Sequence, residues 1–437
     1  FWLKQFRLEQ RATCPRYAFS ADVYPRGTGA SKCRRRGPFL LASPAFESMA
    51  GARAAAAGAV LLGRGCAAAV LPAGEGAVGH YFDGPIEVVA GYPDVGFTWL
   101  ESPVWSQEGQ FLLFSDVKWE DLAGNTTGML WKYDAERGVV TELLPRAGAV
   151  GPGLPPASLG DYAEAGPNGM AWSSSGDPTL LLCQHAMGRI VSFSLDDVSS
   201  GGIADAGVTV VADGYDGAPL NSPNDLTLVG DVLLFSDPPY GLQFRSDASL
   251  DQAYERMPQP ATNIYFLRSP FNGSEAPQVL LSDVWRPNGL ALSAAGKLFV
   301  AHTDFDEPHY SVYDTAEGDV TQVVTASERR FNMTHRIDPA VNAGLPPLAD
   351  GMTAYGDVVF AAGPGGVYVL DGTSGEEAAF VRIDDLVSNV GAGGGYLWVT
   401  ANRRLLRIRL AQGPVDALSA GGRALGARAL EAQLAAA

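Results

Sequence analysis

The chain has 437 residues and a formal net charge of −17, with 46% hydrophobic residues, 52 glycines and 29 prolines. That hydrophobic fraction is ample for a large core, the glycine and proline content suits a strand-and-turn protein, and no apolar run is long and uncharged enough to span a bilayer. The excess of acid disfavours nucleic-acid binding, which needs basic surface to meet phosphate.

Charge is unevenly distributed. Residues 1–80 carry 11 Lys+Arg against 4 Asp+Glu, which leaves 20 against 44 for the rest. The arm holds SKCRRRG from Ser31 and the alanine-rich MAGARAAAAGAVLLGRGCAAAVLPA from Met49. Such composition is that of a targeting segment, either an organellar transit peptide or a secretory signal beginning at Met49, although Arg64 interrupts the apolar run. A low-complexity extension with no address is the alternative, and a cytoplasmic protein is expected if the arm is an artefact of the gene's translation. Cys14, Cys33 and Cys66 lie in the arm and Cys183 alone in the remainder, so no disulfide framework is expected. Cys183, inside LLLCQH, reads as a small core residue. Asn125, Asn272 and Asn332 begin Asn-x-Ser/Thr sequons, which favour secretion only weakly. The expected organisation is an arm over 1–80, a folded unit over 81–412, and a helical or disordered tail over 413–437 whose apolar stripe is thin.

Within the folded unit, IEVVAG from Ile86 is a short apolar strand expected to pair with LLRIRL from Leu405, one chain end completing a sheet begun at the other. LESPVWSQEGQFLLFSDV follows from Leu100, then GMLWKYD and VVTELL, with the polar KWEDLAGNTTG between strands reading as an exposed loop. AGPNGMAWSSSGDPTLLLCQH begins at Ala165. LNSPNDLTLVGDVLLFSDPPYGL begins at Leu220, its strands LTLV and VLLFSD joined by a tight Gly230–Asp231 turn. Pro-Asn-Asp there is good turn chemistry, and it could equally present Asn224 and Asp225 to a cavity. The insertion GLQFRSDASLDQAYERMPQPAT from Gly241 could roof an active site, with Tyr240 and Phe244 as lid aromatics, or be an idle loop. RPNGLALSAAGKLFVAHTD from Arg286, LADGMTAYGDVVFAAGPGGVYVLD from Leu348 and a weaker copy from Ser388 complete the series.

These stretches share one template: Asn or Asp, usually then Gly, an alternating apolar strand, a polar turn and a second apolar strand. Asn168, Asn224, Asn288 and Asp350 fall about 55 to 65 residues apart, a period that suggests β-propeller blades with loop insertions. Asn389 stands at or near the equivalent point of the weaker copy.

On LESPVWSQEGQFLLFSDV, SPND followed by DPPYG, RPNGLALS and ADGM, residues Phe82 to Leu410 resemble the gluconolactonase and senescence-marker-protein (regucalcin-like) family of lactone hydrolases. The resemblance implies an all-β, six-bladed β-propeller with one divalent metal at the mouth of the central channel. It implies Glu101, Asn224, Asn288 and Asp350 as metal ligands, and a sugar lactone as substrate. One departure stands out: the family's Glu-Gly-Pro is Glu-Ser-Pro here, which asks whether the backbone at Ser102 needs a glycine.

The residue chemistry agrees with that expectation. Five histidines, with no Cys-x-x-Cys and no His-Glu-x-x-His, argue against a nitrogen-and-sulfur zinc site. Two carboxylates and two carboxamides suit Ca²⁺ first, with Mg²⁺, Mn²⁺ or Zn²⁺ tolerated. Ca²⁺ acidifies water far less than Zn²⁺, so a protein base is needed: Asp350 first, Asp225 second, unless Asp225 instead fixes Asn224 from behind. Asn168, Asn224, His185 and Tyr240 are candidate substrate contacts, His185 being open also to a buried structural role. No Gly-x-Ser-x-Gly elbow is present for serine catalysis. A non-catalytic Ca²⁺-binding or protein-binding propeller, and a strictosidine-synthase-like or paraoxonase-like hydrolase, are the competing readings.

Overall fold

Short alternating strands cannot bury both of their faces alone, so they must stack sheet against sheet. In the computed structural model they do so as six antiparallel blades of four strands, two of which gain a short fifth strand: Val60–Leu61 pairs with Val139–Val140 and Glu75–Gly76 with Ala379–Phe380. The structure describes residues 60–61, 75–76 and 78–412, apart from 118–127, 146–165, 174–178, 200–201, 204–206, 246–249, 272–274, 317–318, 339–341 and 343–345. The targeting reading of the arm, the tail and the sequons at Asn125 and Asn272 lie outside the described residues. Among those residues no helix is long and apolar enough to cross a membrane.

Blade 1 is built from Leu100–Ser106, Phe111–Asp116, Met129–Asp134 and Val139–Pro145. Blade 2 uses Pro167–Trp172, Thr179–Gln184, Arg189–Ser194 and Val208–Ala212. Blade 3 uses Leu226–Val229, Val232–Ser236, Ile264–Arg268 and Gln278–Leu281. Blade 4 comprises Pro287–Leu292, Lys297–His302, His309–Ala316 and the long Asp319–Asn332. Blade 5 comprises Met352–Tyr355, Val358–Gly363, Gly366–Asp371 and Glu377–Arg382. Blade 6 takes Val387–Gly393, Tyr396–Ala401 and Arg404–Leu410 from one end of the unit and Phe82–Gly91 from the other.

That last pairing is the expected one, with Ile86 opposite Ile408 and Val88 opposite Leu406. It closes the ring and leaves no free inner edge. The first strand of each blade contacts the first strand of the next all the way round, from Leu100–Ser106 back to itself, so these six strands line the axis. Between blades the core is aliphatic and aromatic: Phe97 sits edge-on to Phe114 and Trp131 at 5.5 and 5.2 Å, and Cys183 is buried among Leu181, Leu233 and Phe235 as a core residue. Such fully buried side chains each contribute about 1.5–3 kcal/mol.

The repeated glycine after Asn or Asp has a packing cause. The Gly169 amide donates to the Asn224 carbonyl at 2.8 Å, and a Cβ on Gly169 would stand 2.7 Å from that same oxygen. Around the ring, a Cβ on Gly289 would collide with the Asp350 carbonyl and one on Gly351 with the Asn389 side chain. Only glycine lets neighbouring inner strands approach this closely.

Candidate functional site

Each inner strand opens on a polar residue at the same end. Glu101, Asn168 and Asn288 are second in their strands and Asn389 third, while Asn224 and Asp350 stand two residues before theirs. All six side chains are buried, as is Asp225. One residue per blade therefore converges on the axis, and Asn389 completes the set in blade 6.

Three carboxylates share this space. Glu101 accepts from Trp99 Nε1 at 3.2 Å and faces the side-chain amide of Asn389. Burial pushes its carboxyl up to about 8, with the Asp225 charge adding to the rise. Asp350 is driven well upward by burial and by the Glu101 and Asp225 charges, against one favourable hydrogen bond from the Asn288 side chain. Asp225 is held up to about 7 by burial. Its Oδ1 accepts from the Leu226 amide at 2.9 Å, and Oδ2 is buried without a close hydrogen bond. The amides of Leu290 and Met352, each two residues beyond Asn288 and Asp350, favour its ionised form. Asp225 thus stands deeper along the axis than the other carboxylates and turns toward them.

Among the described residues no three His, Cys, Asp or Glu side chains form a metal cage by themselves. The fit of the expected set rests instead on mixed donors: Glu101 and Asp350 carboxylates with Asn224 and Asn288 carboxamides, all buried. Gathering three carboxylates in a dry site is costly unless a cation compensates them. Burial raises the proton affinity of all three, and neighbouring carboxylate charges add to the rise at Glu101 and Asp350.

The remaining expected residues divide. Asn168 Nδ2 lies 3.4 Å from His185 Nδ1, both side chains buried, so these two form one unit beside the ring. Tyr240, first residue of a 3₁₀ turn spanning Tyr240–Arg245, is buried with its hydroxyl beside Thr303 and in the field of Asp350. Thr303 in turn accepts from Asn288 Nδ2 at 2.9 Å and donates to the Ala349 carbonyl at 2.7 Å. His302 takes a structural place: Nδ1 lies 2.7 Å from the Trp285 carbonyl, Nε2 3.0 Å from Ser311 Oγ, and the ring stacks on His309 at 4.2 Å. The side chain of Phe244 lies outside the described ones.

Ser102 answers its own question. Its φ is +42°, the left-handed region that glycine enters freely and serine at a cost of roughly 1 kcal/mol. The hydroxyl offsets this strain by accepting from the Met170 amide at 2.7 Å, a link between blades 1 and 2 that glycine could not make.

Two further acids hold the ring in place. Asp116 accepts from the Thr98 and Trp99 amides, both at 2.9 Å, three and two residues before Glu101. Asp237 accepts from the Asn221 and Ser222 amides at 2.9 and 2.7 Å, three and two residues before Asn224. Both carboxylates are fully buried. The repeated Phe-Ser-Asp of blades 1 and 3 was the available signal for this clasp.

Against this geometry, comparison with known proteins is specific. A gluconolactonase of Zymomonas mobilis is 30% identical over 333 residues, covering 74% of this chain and 81% of that protein. The chain belongs to the gluconolactonase family. No protein-family model matches it. A solved structure assigned as a gluconolactonase aligns over 76% of this chain and 94% of its own, at 23% identity and a TM-score of 0.52. The solved luciferin-regenerating enzyme covers 74% and 94% respectively, at 16% identity and a TM-score of 0.50. At those identities the two structures bear on the fold alone, the six-bladed propeller that this gluconolactonase-family chain adopts.

Proposed function

We propose that this protein hydrolyses a sugar lactone of the gluconolactone type to the open-chain acid, in a metal-dependent reaction at the mouth of the channel. The observation that carries the reading is the meeting of Glu101, Asp225 and Asp350 with Asn224 and Asn288 at one end of the axis, in a family whose curated relative is a gluconolactonase. Glu101, Asn224, Asn288 and Asp350 would hold one divalent ion, Ca²⁺ before Mg²⁺, Mn²⁺ or Zn²⁺ because every donor is a hard oxygen. When bound, such an ion supplies Lewis acidity toward the ring carbonyl.

The chain's own residues do the rest. Asp350, steadied by the Asn288 amide, accepts the proton of a water that attacks the carbonyl carbon, and returns a proton to the ring oxygen as the acyl C–O bond breaks. Asp225, beneath the ring, is the alternative base; otherwise its charge keeps Asp350 basic. Asn168 and His185 act together on the substrate's hydroxyls, while Tyr240 and Asn224 complete the polar wall. Burial strengthens each of these contacts by excluding water.

The test follows acid release from D-glucono-δ-lactone above its spontaneous opening, using chelator-stripped protein with and without each divalent ion. Acceleration only with metal is expected, as is its loss in Glu101→Ala and Asp350→Ala while both variants keep the wild-type fold. Undiminished hydrolysis in either variant, or none by the metal-loaded wild type on a panel of lactones, would refute the reading.

A further inference from the structure

The rim beside Asn288 carries a group that the reaction leaves unused. Arg286 sits two residues before Asn288, with φ at +45°, a strained backbone for a side-chain-bearing residue. Its carbonyl accepts from the Thr303 amide at 2.9 Å, and Thr303 is bonded to Asn288, so the base of this arginine is tied to the site. The guanidinium lies 5.1 Å from the Trp285 ring centroid and 4.8 Å from that of Phe305. Trp285 stacks on Tyr254 of the short helix Leu250–Glu255 at 5.5 Å and donates through Nε1 to Asp304 at 2.8 Å, yet 51% of it is exposed.

Arg286 Nε is buried with no hydrogen-bond partner; the Asp304 carboxyl feels the Arg286 charge, but among the described residues no carboxylate comes within ion-pair range of the guanidinium. Its charge is felt at the hydroxyls of both Tyr240 and Tyr254, and Tyr240 also feels Asp350, so Tyr240 stands near both the cation and the polar ring. A planar cation held between aromatic rings, with no carboxylate in ion-pair contact among the described residues, is pre-organised for a carboxylate or phosphate. A chain at −17, with three carboxylates below this rim, repels anions unless a local cation receives them.

We infer that Arg286, framed by Trp285 and Phe305, is a specificity-determining residue that receives an anionic group carried by the lactone away from its ring carbonyl. The inference rests on the lactone-hydrolase reading. Its bland counterpart is an arginine that merely braces Trp285 and Phe305, and the two differ in how they treat neutral and anionic substrates.

The experiment compares kcat/KM of the metal-loaded full chain, Arg286→Gln and Arg286→Lys on three lactones: neutral D-glucono-δ-lactone, carboxylate-bearing D-glucaro-1,4-lactone and 6-phospho-D-glucono-δ-lactone. We expect Arg286→Gln to lose about 10- to 100-fold on the matching anionic lactone, mainly through KM, as befits one charge-assisted contact. The neutral lactone should change by less than about threefold, and Arg286→Lys should recover part of the loss. The two anionic arms tell carboxylate from phosphate. Equal losses on all three lactones, or no loss on either anionic one, would overturn the inference. Should the wild type open no lactone, the hydrolase reading fails first. Titration of glucarate and 6-phosphogluconate into wild type and Arg286→Gln then decides this one: weaker binding by the variant supports it, and equal or absent binding overturns it.

Discussion

Asp225 gives the most direct test of the electrostatics of the ring. It is buried at 5% exposure, and burial holds its carboxyl at about 7, against 3.8 when the carboxyl is free. Between those values the folded chain keeps a proton that the unfolded chain releases. Asp225 therefore weighs against the fold increasingly as pH rises, until its folded carboxyl ionises near 7. Each tenfold difference in proton affinity is worth about 1.4 kcal/mol, so taking metal-free protein from about pH 5 to pH 8 costs about 2–3 kcal/mol through this residue alone. Asp225→Asn cannot ionise and escapes the cost.

The readout is the difference in unfolding free energy between wild type and Asp225→Asn, by urea denaturation at each pH after chelation. Taking the difference matters because other groups titrate in the same window. Glu101, near 8, and Asp237, near 7, act with the same sign as Asp225. His302, held down to about 4 by burial and by His309, acts oppositely: its contribution is present above its ordinary value of 6.5 and is lost as pH falls from there toward 4. The variant should gain on the wild type by about 2–3 kcal/mol from pH 5 to pH 8, and saturating Ca²⁺ should shrink that gain. A difference that stays flat across this range would refute the reasoning.

Other consequences are as concrete. Gly289→Ala drives a Cβ into the Asp350 carbonyl, so it should destabilise by about 1–3 kcal/mol in thermal unfolding and lower lactone turnover as Asp350 moves. Ser102→Ala keeps the left-handed backbone and loses the bond from the Met170 amide, whereas Ser102→Gly relieves the strain. The alanine variant should be the less stable of the two by roughly 1 kcal/mol, and the reverse order would contradict the offset argued for serine. Asp237→Asn turns one acceptor toward a backbone amide into a donor, at a cost of about 1–3 kcal/mol. Because the clasp sets the approach of Asn224, isothermal titration should also show about 10- to 100-fold weaker divalent-ion binding in that variant at temperatures where it remains folded.

Much of the architecture was legible because it is local. A two-residue period, tight turns such as Gly230–Asp231 and a recurring Asn/Asp-Gly entrance are properties of a few adjacent residues. They identified the inner strands, the closing pairing of IEVVAG with LLRIRL, and the recurring Asn168, Asn224, Asn288 and Asp350, whereas Glu101 came from the resemblance to the gluconolactonase family. The outer strands were harder to read. Val208–Ala212, Gln278–Leu281 and the fourteen-residue Asp319–Asn332 lie at blade edges, partly exposed, where solvent tolerates polar residues and erases the alternation. In blade 3 the short Gln278–Leu281 follows Ile264–Arg268 and pairs with it across an irregular register.

Tertiary structure alone decided which side chains share a space. Residues 101, 225 and 350 are distant in sequence, and nothing local says that Glu101, Asp225 and Asp350 fall within one another's fields. Nor does sequence separate His185, beside Asn168, from His302, locked between Trp285 and Ser311, since both follow an apolar strand. The same holds for the clasps of Asp116 and Asp237 and for the seat of Arg286 between Trp285 and Phe305. Sequence by itself determined the blades and their polar entrances, because pleat and turn chemistry act between neighbours. Ring closure decided the electrostatics, because charge and burial depend on distance through space and not along the chain.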